Sequence, residues 1–203
     1  MKVANLVTAV VLAVAAGAAT AGDWYATGSV DQKVKQNSST GEYHNVYGLT
    51  VGTKLGSGFS AEYLVENEQV EHSSTGQAHE GLFQARINKA FETGTLVTPY
   101  VGVAVGRKNK ATIDFPYYRA DIGTNINLGD SLVAKVNYRH RQAFDATLSD
   151  GTATKYNTNE ARVSLIYKLT KADAITVSYA QERRADTVSS EYNTTAVAYT
   201  RSF

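Results

Sequence analysis

Apolar and polar residues alternate along almost the whole chain, and helical spacing is scarce. One clear run places an apolar or threonine side chain at every second position: Tyr47, Leu49, Val51, Thr53 and Leu55. Alternation of this period puts successive side chains on opposite faces of a β-strand. The pattern predicts an all-β fold with ten strands of about 12 to 15 residues, longer than most strands of soluble sheets.

The turns between the predicted strands alternate in type. The strands cover residues 24–36, 44–56, 59–71, 80–92, 95–107, 115–129, 131–144, 156–170, 174–185 and 192–203. Short turn signals lie at 57–58, 93–94, 129–130 and 170–173, whereas longer polar segments lie at 37–43, 72–79, 108–114, 146–155 and 186–191. Short turns at one end and longer loops at the other are typical of a transmembrane antiparallel up-and-down β-barrel. Counts of eight and twelve strands remain alternatives.

The second face of the predicted strands carries many charges. Arg119 and Asp121 alternate with apolar residues, and Lys135, Arg139 and Arg141 do the same on the next strand. A soluble sandwich or lipocalin-like barrel has the same period, but it buries its apolar face inward. A dry protein core could not hold so many charges. We therefore predict that the apolar face contacts lipid and that the charged face lines the barrel.

The first residues have the three parts of a secretory signal. Lys2 precedes an apolar stretch over residues 3–18, and small residues follow at Ala19 and Ala21. This pattern predicts a signal peptide over 1–21 and a barrel domain over 22–203. A membrane anchor is the alternative, but Asn5 and Thr8 interrupt the short apolar run and no basic cluster follows it.

Aromatic residues fall near both predicted ends of the strands. The short-turn side has Trp24, Phe59, Phe91, Tyr167 and Phe203, and the long-loop side has Tyr47, Phe83, Tyr118 and Tyr138. These positions predict two interfacial aromatic girdles. Lys89 and Arg201 depart from the pattern, because both fall on the outward parity. A β-bulge in one of those strands, or snorkelling of the side chain, would explain them.

Two short segments resemble known sequences. The chain closes with Tyr199 and Phe203, and Pro99-Tyr100-Val101-Gly102 forms a Pro-Tyr-x-Gly strand. Together with the signal and the alternation, these residues resemble the small, porin-like outer-membrane β-barrel proteins of Gram-negative bacteria over the whole length. The resemblance implies export through the periplasm to the cell outer membrane, with Tyr199 and Phe203 as the C-terminal signal for the barrel assembly machinery. It also implies contact with outer-membrane lipid, including lipopolysaccharide.

Charge and cysteine content exclude several classes of function. The chain has 20 basic and 19 acidic residues, and removal of Lys2 with the predicted signal leaves 19 of each, so no basic excess indicates nucleic acid as a partner. It has no cysteine, which excludes disulfides and thiolate metal sites. His72 and His79 are too loosely spaced to predict a metal site, and no serine stands two residues after His140. We predict no metal, no cofactor and no catalytic site.

The charged face is the candidate functional site. Its predicted basic residues are Arg119, Lys135, Arg139, Arg141, Arg162 and Arg184, and its acidic residues are Glu62, Glu66, Asp121 and Glu160. A basic arc opposite an acidic arc would form a narrow passive channel for small solutes, preferably anions. Internal ion pairs would instead fill the lumen of a non-conducting structural or adhesive barrel. A lipid-modifying enzyme is the third hypothesis.

Overall fold

The computed structural model describes residues 23–36, 42–72, 76–109, 113–144, 146–148, 156–185 and 190–203. These residues form the strands β1 Trp24–Lys35, β2 Tyr43–Gly56, β3 Phe59–His72, β4 Gly76–Ala90, β5 Val97–Asn109, β6 Ile113–Asn127, β7 Leu132–Ala143, β8 Thr147–Leu148, β9 Asn157–Lys168, β10 Asp173–Ala185 and β11 Ser190–Ser202. The described part of the chain contains no helix that is long and apolar enough to cross a membrane.

Ten long strands close into a barrel. Each pairs antiparallel with the neighbouring long strands in the chain, and the two-residue strand β8 pairs with the start of β6. The last strand returns to the first, with Tyr25 opposite Ser202 and Lys35 opposite Tyr192. Closure leaves no unpaired edge among the long strands. The predicted ten-stranded up-and-down barrel is therefore confirmed, and β3 and β9 lie on opposite sides of it.

Two of the predicted long loops, 72–79 and 108–114, are wrong in large part, because strands extend into them. Strand β3 continues to His72 and β4 begins at Gly76, while β5 continues to Asn109 and β6 begins at Ile113. Polar residues such as Glu71 and Gln77 still pair through their backbones, so polarity alone does not end a strand. The connection predicted at 93–94 is longer, over 91–96. The predicted signal and the segments 37–41, 149–155 and 186–189 lie outside the described residues.

The two faces of the barrel are inverted relative to those of a soluble protein. On the outer wall Val103 is 64% exposed, and Val105 and Ile122 are exposed in the same way. On the inner face Arg119 is only 3% exposed, and Asp121 beside it is also buried. An apolar exterior around a polar interior is the arrangement that a lipid bilayer selects. The prediction that the apolar side chains face outward and the charged side chains face the lumen is confirmed.

Inward glycines lie opposite inward tyrosines on adjacent strands. Gly106 pairs with Tyr117, and Gly123 pairs with Tyr100. A Cβ atom on Gly106 would lie 2.5 Å from the Tyr117 hydroxyl and 2.5 Å from the Phe83 carbonyl oxygen. Only the missing side chain allows the tyrosine ring to lie flat over the neighbouring strand. These tyrosines fill space close to the wall of the lumen.

Aromatic side chains mark the outer wall at two levels. Tyr47, Phe83, Tyr118 and Tyr138 are exposed at the predicted long-loop level, and Tyr179 on β10 adds to them. On the short-turn side, the Lys89 ammonium lies 4.4 Å from the Phe59 ring centroid and donates a hydrogen bond to the Ser57 carbonyl oxygen. Its long side chain thus carries the charge to the interface.

The bulge suggested for the strands of Lys89 and Arg201 is wrong. Both strands pair in continuous register, and the only recorded register shift among the described pairings lies in β2, between Lys54 and Gly56. Arg201 instead forms an ion pair with Asp173, with 3.5 Å between Nη1 and Oδ1. Both cations are accommodated by contacts at the short-turn interface.

Candidate functional site in the lumen

All ten predicted site residues lie on the inward face. Glu62 and Glu66 lie on β3, the pair Arg119 and Asp121 on β6, and Arg184 on β10. The remaining five follow the same inward parity on β7 and β9: Lys135, Arg139, Arg141, Glu160 and Arg162. The barrel therefore brings residues from five distant segments into one narrow interior.

A belt of buried side chains crosses the lumen in its loop-side half. Every long strand contributes one member, and none is more than 9% exposed: Lys33, His44, Glu68, Leu82, Lys108, Tyr117, Arg141, Thr158, Arg184 and Tyr192. These groups are therefore almost fully shielded from water. We call these ten residues the belt.

Glu68 is the centre of the charged half of the belt. Its carboxylate lies 2.6 Å from the Lys108 ammonium, 3.4 Å from Lys33 and 3.7 Å from the Arg184 guanidinium. His44 Nδ1 lies 2.6 Å from the same carboxylate. A buried carboxylate is tolerated only when cations and donors replace its lost water, and Glu68 has four such partners.

Glu42 extends this network toward the loops. The Tyr192 hydroxyl donates to Glu42 at 3.0 Å, the Lys35 ammonium lies 2.9 Å away, and His44 Nε2 lies 2.8 Å away. Burial raises the pKa of the Glu42 carboxyl, but the hydrogen bonds from His44, Lys35 and Tyr192 outweigh it and hold the pKa at about 2. His44 thus contacts a carboxylate through each of its ring nitrogens, Glu68 through Nδ1 and Glu42 through Nε2.

An apolar cluster fills the other half of the same level. The Phe115 and Tyr156 rings lie with centroids 4.3 Å apart, and Leu82, Tyr117 and Ala146 pack against them. Phe115 and Tyr117 are fully buried. Charged groups therefore occupy one side of the lumen at this level, and apolar groups occupy the other.

Below the belt the lumen widens into a cavity of about 310 Å³. Small side chains of β1, β10 and β11, such as Ser29, Ser178 and Ala196, line one side. Arg86, Lys135 and other long charged side chains line the rest. This space lies in the middle and short-turn part of the barrel, and it is the part of the lumen that could hold a small polar solute.

The arginines around this cavity are paired rather than grouped into a free basic arc. The Asp121 carboxylate lies 3.0 Å from the Arg119 guanidinium, 3.7 Å from that of Arg139 and 3.8 Å from that of Arg86. The carboxylate of Glu160 is 2.8 Å from Arg162 and 3.4 Å from Arg139. Carboxylates lie between the arginines on the same strands, so the field across the lumen is weaker than two opposed arcs would produce.

Two lumen cations have no carboxylate within ion-pair distance among the described residues. The Lys135 ammonium lies 4.8 Å from the Tyr100 ring centroid, and the Arg141 guanidinium lies 4.8 Å from that of Tyr117. Cation–π contact offsets part of the cost of their burial. These two residues differ in this respect from the other predicted basic residues of the lumen, each of which forms an ion pair.

Sequence reasoning missed several members of the belt. It placed Lys108 in the predicted loop 108–114 and did not name His44 among the lumen residues; both are buried in the lumen. The signal for Lys108 was present, because it continues the inward parity of Tyr100 and Ala104 on β5. Extending the predicted strand by one more inward position would have found it.

The comparisons with known proteins agree on the class of barrel. The family model described as "Outer membrane protein beta-barrel domain" matches residues 5–168. No curated protein sequence matches the chain. A solved outer membrane channel from Pseudomonas putida F1 is similar with a TM-score of 0.63 and 12% identity, covering 90% of this chain and 96% of the channel.

Two further solved structures are similar in fold. LpxR from Salmonella typhimurium is similar with a TM-score of 0.52 and 9% identity, covering 92% of each chain. The outer membrane protease OmpT from Escherichia coli has a TM-score of 0.50 and 10% identity, covering 91% of this chain and 98% of the protease. At these identities the likeness concerns the fold alone.

Proposed function

Because the chain belongs to the outer membrane protein β-barrel domain family, we propose that it is an outer-membrane barrel with a closed lumen, a structural or adhesive protein and not an open pore. The belt is the observation that carries this proposal. It has a member from each of the ten long strands, and all of them are buried.

An ion that crossed the belt would have to separate buried partners. Moving Lys108 and Arg184 aside would take two of its three lysine and arginine partners from the buried Glu68 carboxylate and leave only Lys33 of the three, in a region of low dielectric constant. Leaving one partner of a buried ion pair uncompensated costs about 3 to 5 kcal/mol. A barrier of this kind makes the ground state of the barrel non-conducting.

A narrow passive channel for small solutes is the second candidate. The cavity of about 310 Å³ favours it, because half of a conduction path already exists on the short-turn side. Lys135, which lines this cavity, would give that path a preference for anions. In this version the belt is a gate that opens when the partners of Glu68 rearrange.

The solved neighbours do not choose between these functions. The first is a channel, whereas another is a protease. One fold therefore serves several activities, and the decision depends on the residues of this chain. We propose that it is not an enzyme, since His140 contacts the Asn159 amide at 2.7 Å and no nucleophile lies among its recorded partners in the described chain.

Single-channel recording in planar bilayers tests the proposal. We expect no conductance from the native protein once its insertion has been verified by its heat-dependent electrophoretic mobility. The double variant Lys108→Ala/Arg184→Ala truncates two charged side chains of the belt and should conduct. Its conductance would show that the assay detects an open lumen. Arg183→Ala is the matched control, because Arg183 lies next to Arg184 but faces outward.

Two results would decide against the closed barrel. Steady conductance of the native protein with anion preference would establish the channel in its place. Voltage-dependent or solute-dependent opening of the native protein and of Arg183→Ala alike, absent when the stimulus is withheld, would establish the gated version. Silence of both the native protein and Arg183→Ala beside a conducting double variant supports the proposal.

A further inference from the structure

A polar groove of about 350 Å³ lies on the outside of the barrel, at the loop end of β7, β9, β10 and β11. Its outward side chains are Gln36, Tyr138, Asn159, Ala161, Gln181, Arg183, Glu191 and Asn193. This volume is near the lower end of the range for small-molecule sites, about 300 to 1,000 Å³. Glu182 and Tyr192, which alternate with these residues and are buried on the lumen side, also line its floor.

The groove lies just above the loop-side girdle. Tyr138 pairs with Ala161 at its lower rim, and the next outward pair below is Val136 with Val163. On the adjacent strands, Val177 faces Val197 at the lower level and Gln181 faces Asn193 at the upper level. The outer wall thus changes from apolar to polar at this height, which is where lipid headgroups begin.

The charge of the groove argues against a phosphate ligand. Its one cation, Arg183, donates from Nε to Glu191 at 2.8 Å, and its Nη2 lies 2.6 Å from the same carboxylate. The other polar side chains of the groove are amides and a tyrosine hydroxyl. A phosphate would need an unneutralised cation. Neutral amides beside a neutralised pair suit hydroxyl groups instead.

The side chain of Asn159, which lines the groove, is held in a fixed orientation by two hydrogen bonds. The Tyr138 hydroxyl donates to its Oδ1 at 2.8 Å, and His140 Nδ1 lies 2.7 Å from the same atom. These two contacts use both acceptor positions of the oxygen. The amide nitrogen keeps its two donors for a ligand, and the Tyr138 ring offers an apolar face beside them.

We propose that this groove binds the saccharide headgroup of an outer-leaflet glycolipid. Amide donors and acceptors recognise sugar hydroxyls, and the tyrosine face packs against the apolar side of a sugar ring. The acyl chains of the same molecule lie along Val163 and Val177, directly below the groove. That continuity with the lipid-facing wall selects a glycolipid over a free saccharide.

The longest recorded connection, between β7 and β9, lies on the same side as the groove. Barrels of this family type direct their longer loops to the exterior and their short turns to the periplasm. The groove therefore faces the outer leaflet. The inference concerns the outer wall, so it holds whether the lumen is closed or conducting.

Native mass spectrometry of the full barrel released from lipid nanodiscs tests this site. The nanodiscs contain phosphatidylcholine with either an uncharged dihexosyl diacylglycerol or phosphatidylglycerol, and a third set receives the free disaccharide. We expect selective retention of the dihexosyl lipid by the native protein. Asn159→Leu should lower that retention roughly tenfold, since it removes the oriented amide and two hydrogen bonds with it.

Asn67→Leu is the matched control, because Asn67 lies on the outer wall beside the girdle residue Tyr47 on the far side from the groove. It should retain the dihexosyl lipid as the native protein does. Equal retention by Asn159→Leu and Asn67→Leu would overturn the site, as would equal retention of phosphatidylglycerol by the native protein. Capture of the free disaccharide at the same strength would overturn the glycolipid assignment.

Discussion

Arg184 on β10 reaches Glu68 on β3 across the lumen, with 3.7 Å between Nη2 and Oε1. Three strands, β11, β1 and β2, lie between them in the sheet. Only a narrow barrel allows one side chain to span that distance. The contact therefore links two distant parts of the barrel wall, and its loss should lower the free energy of unfolding of the whole barrel.

Glu68→Gln should lower the free energy of unfolding by about 3 kcal/mol, because Lys33, Lys108 and Arg184 would lose a buried counter-charge. Urea titration in detergent, followed by the heat-dependent electrophoretic shift, measures the change. Glu92→Gln is the control, since Glu92 lies exposed in the connection between β4 and β5. Equal stabilities of the two variants would show that the network contributes little.

Gly106→Ala should destabilise the barrel by about 1 to 3 kcal/mol, the usual cost of overpacking. The added Cβ would meet the Tyr117 hydroxyl and the Phe83 backbone at 2.5 Å, and the backbone cannot move aside cheaply. Gly28→Ala is the matched control, because a Cβ there meets no atom within 4 Å. The same urea titration compares them, and an effect of Gly28→Ala as large as that of Gly106→Ala would contradict this packing argument.

The fold was predictable because its signal is local. The alternation around Val103 and Arg119 assigns each strand and each face without knowledge of distant contacts. The ion-pair network of the belt was not predictable in the same way. It depends on how far the Arg184 and Lys108 side chains reach and on which carboxylate each of them contacts. The alternation of the sequence shows that both side chains face inward, but it does not show their partners. The position of His44 was missed for a related reason, because a residue near a loop can still face inward.

Acid should weaken the contribution of Glu42 to the stability of the barrel. Glu42 lies just before β2. Its pKa in the folded barrel is about 2, below its ordinary value of 4.5. A lowered folded-state pKa stabilises the fold above pH 4.5, and that stabilisation is lost as the pH falls from about 4.5 toward 2. The difference in thermal midpoint between the native protein and Glu42→Gln should therefore shrink between pH 6 and pH 3. A constant difference over this interval would rule out the linkage.

Removal of Phe203 should reduce the yield of assembled barrel. Its backbone amide donates to the Trp24 carbonyl oxygen at 2.8 Å, so it completes the seam between β11 and β1. The measurement is the fraction of heat-modifiable protein in outer-membrane extracts. Phe91→Ala is the control, because Phe91 is 47% exposed on the same side and Phe203 is 49% exposed, yet Phe91 lies far from the seam. Equal yields would remove the role assigned to the C-terminus.

Arg139 and Arg141 lie on the same inward face of β7 but should respond differently to neutralisation. Arg139 contacts Glu160 at 3.4 Å and Asp121 at 3.7 Å, whereas Arg141 has no carboxylate within ion-pair distance in the described chain. Arg139→Met should therefore lower the free energy of unfolding by about 1 to 3 kcal/mol, because two buried carboxylates lose a partner. Arg141→Met replaces an unpaired buried charge with an apolar side chain of similar length, and should be neutral or stabilising.

Urea titration of both single variants and of the double variant checks this ordering, and bilayer recording of the same samples connects it to function. In a closed barrel all three variants stay silent, and only those that lack Arg139 unfold more easily. In an open channel the double variant loses anion preference and gains conductance, because positive charge and bulk leave the lumen together. A larger loss of stability from Arg141→Met than from Arg139→Met would show that the cation–π contact with Tyr117, at 4.8 Å, outweighs the ion pairs of Arg139.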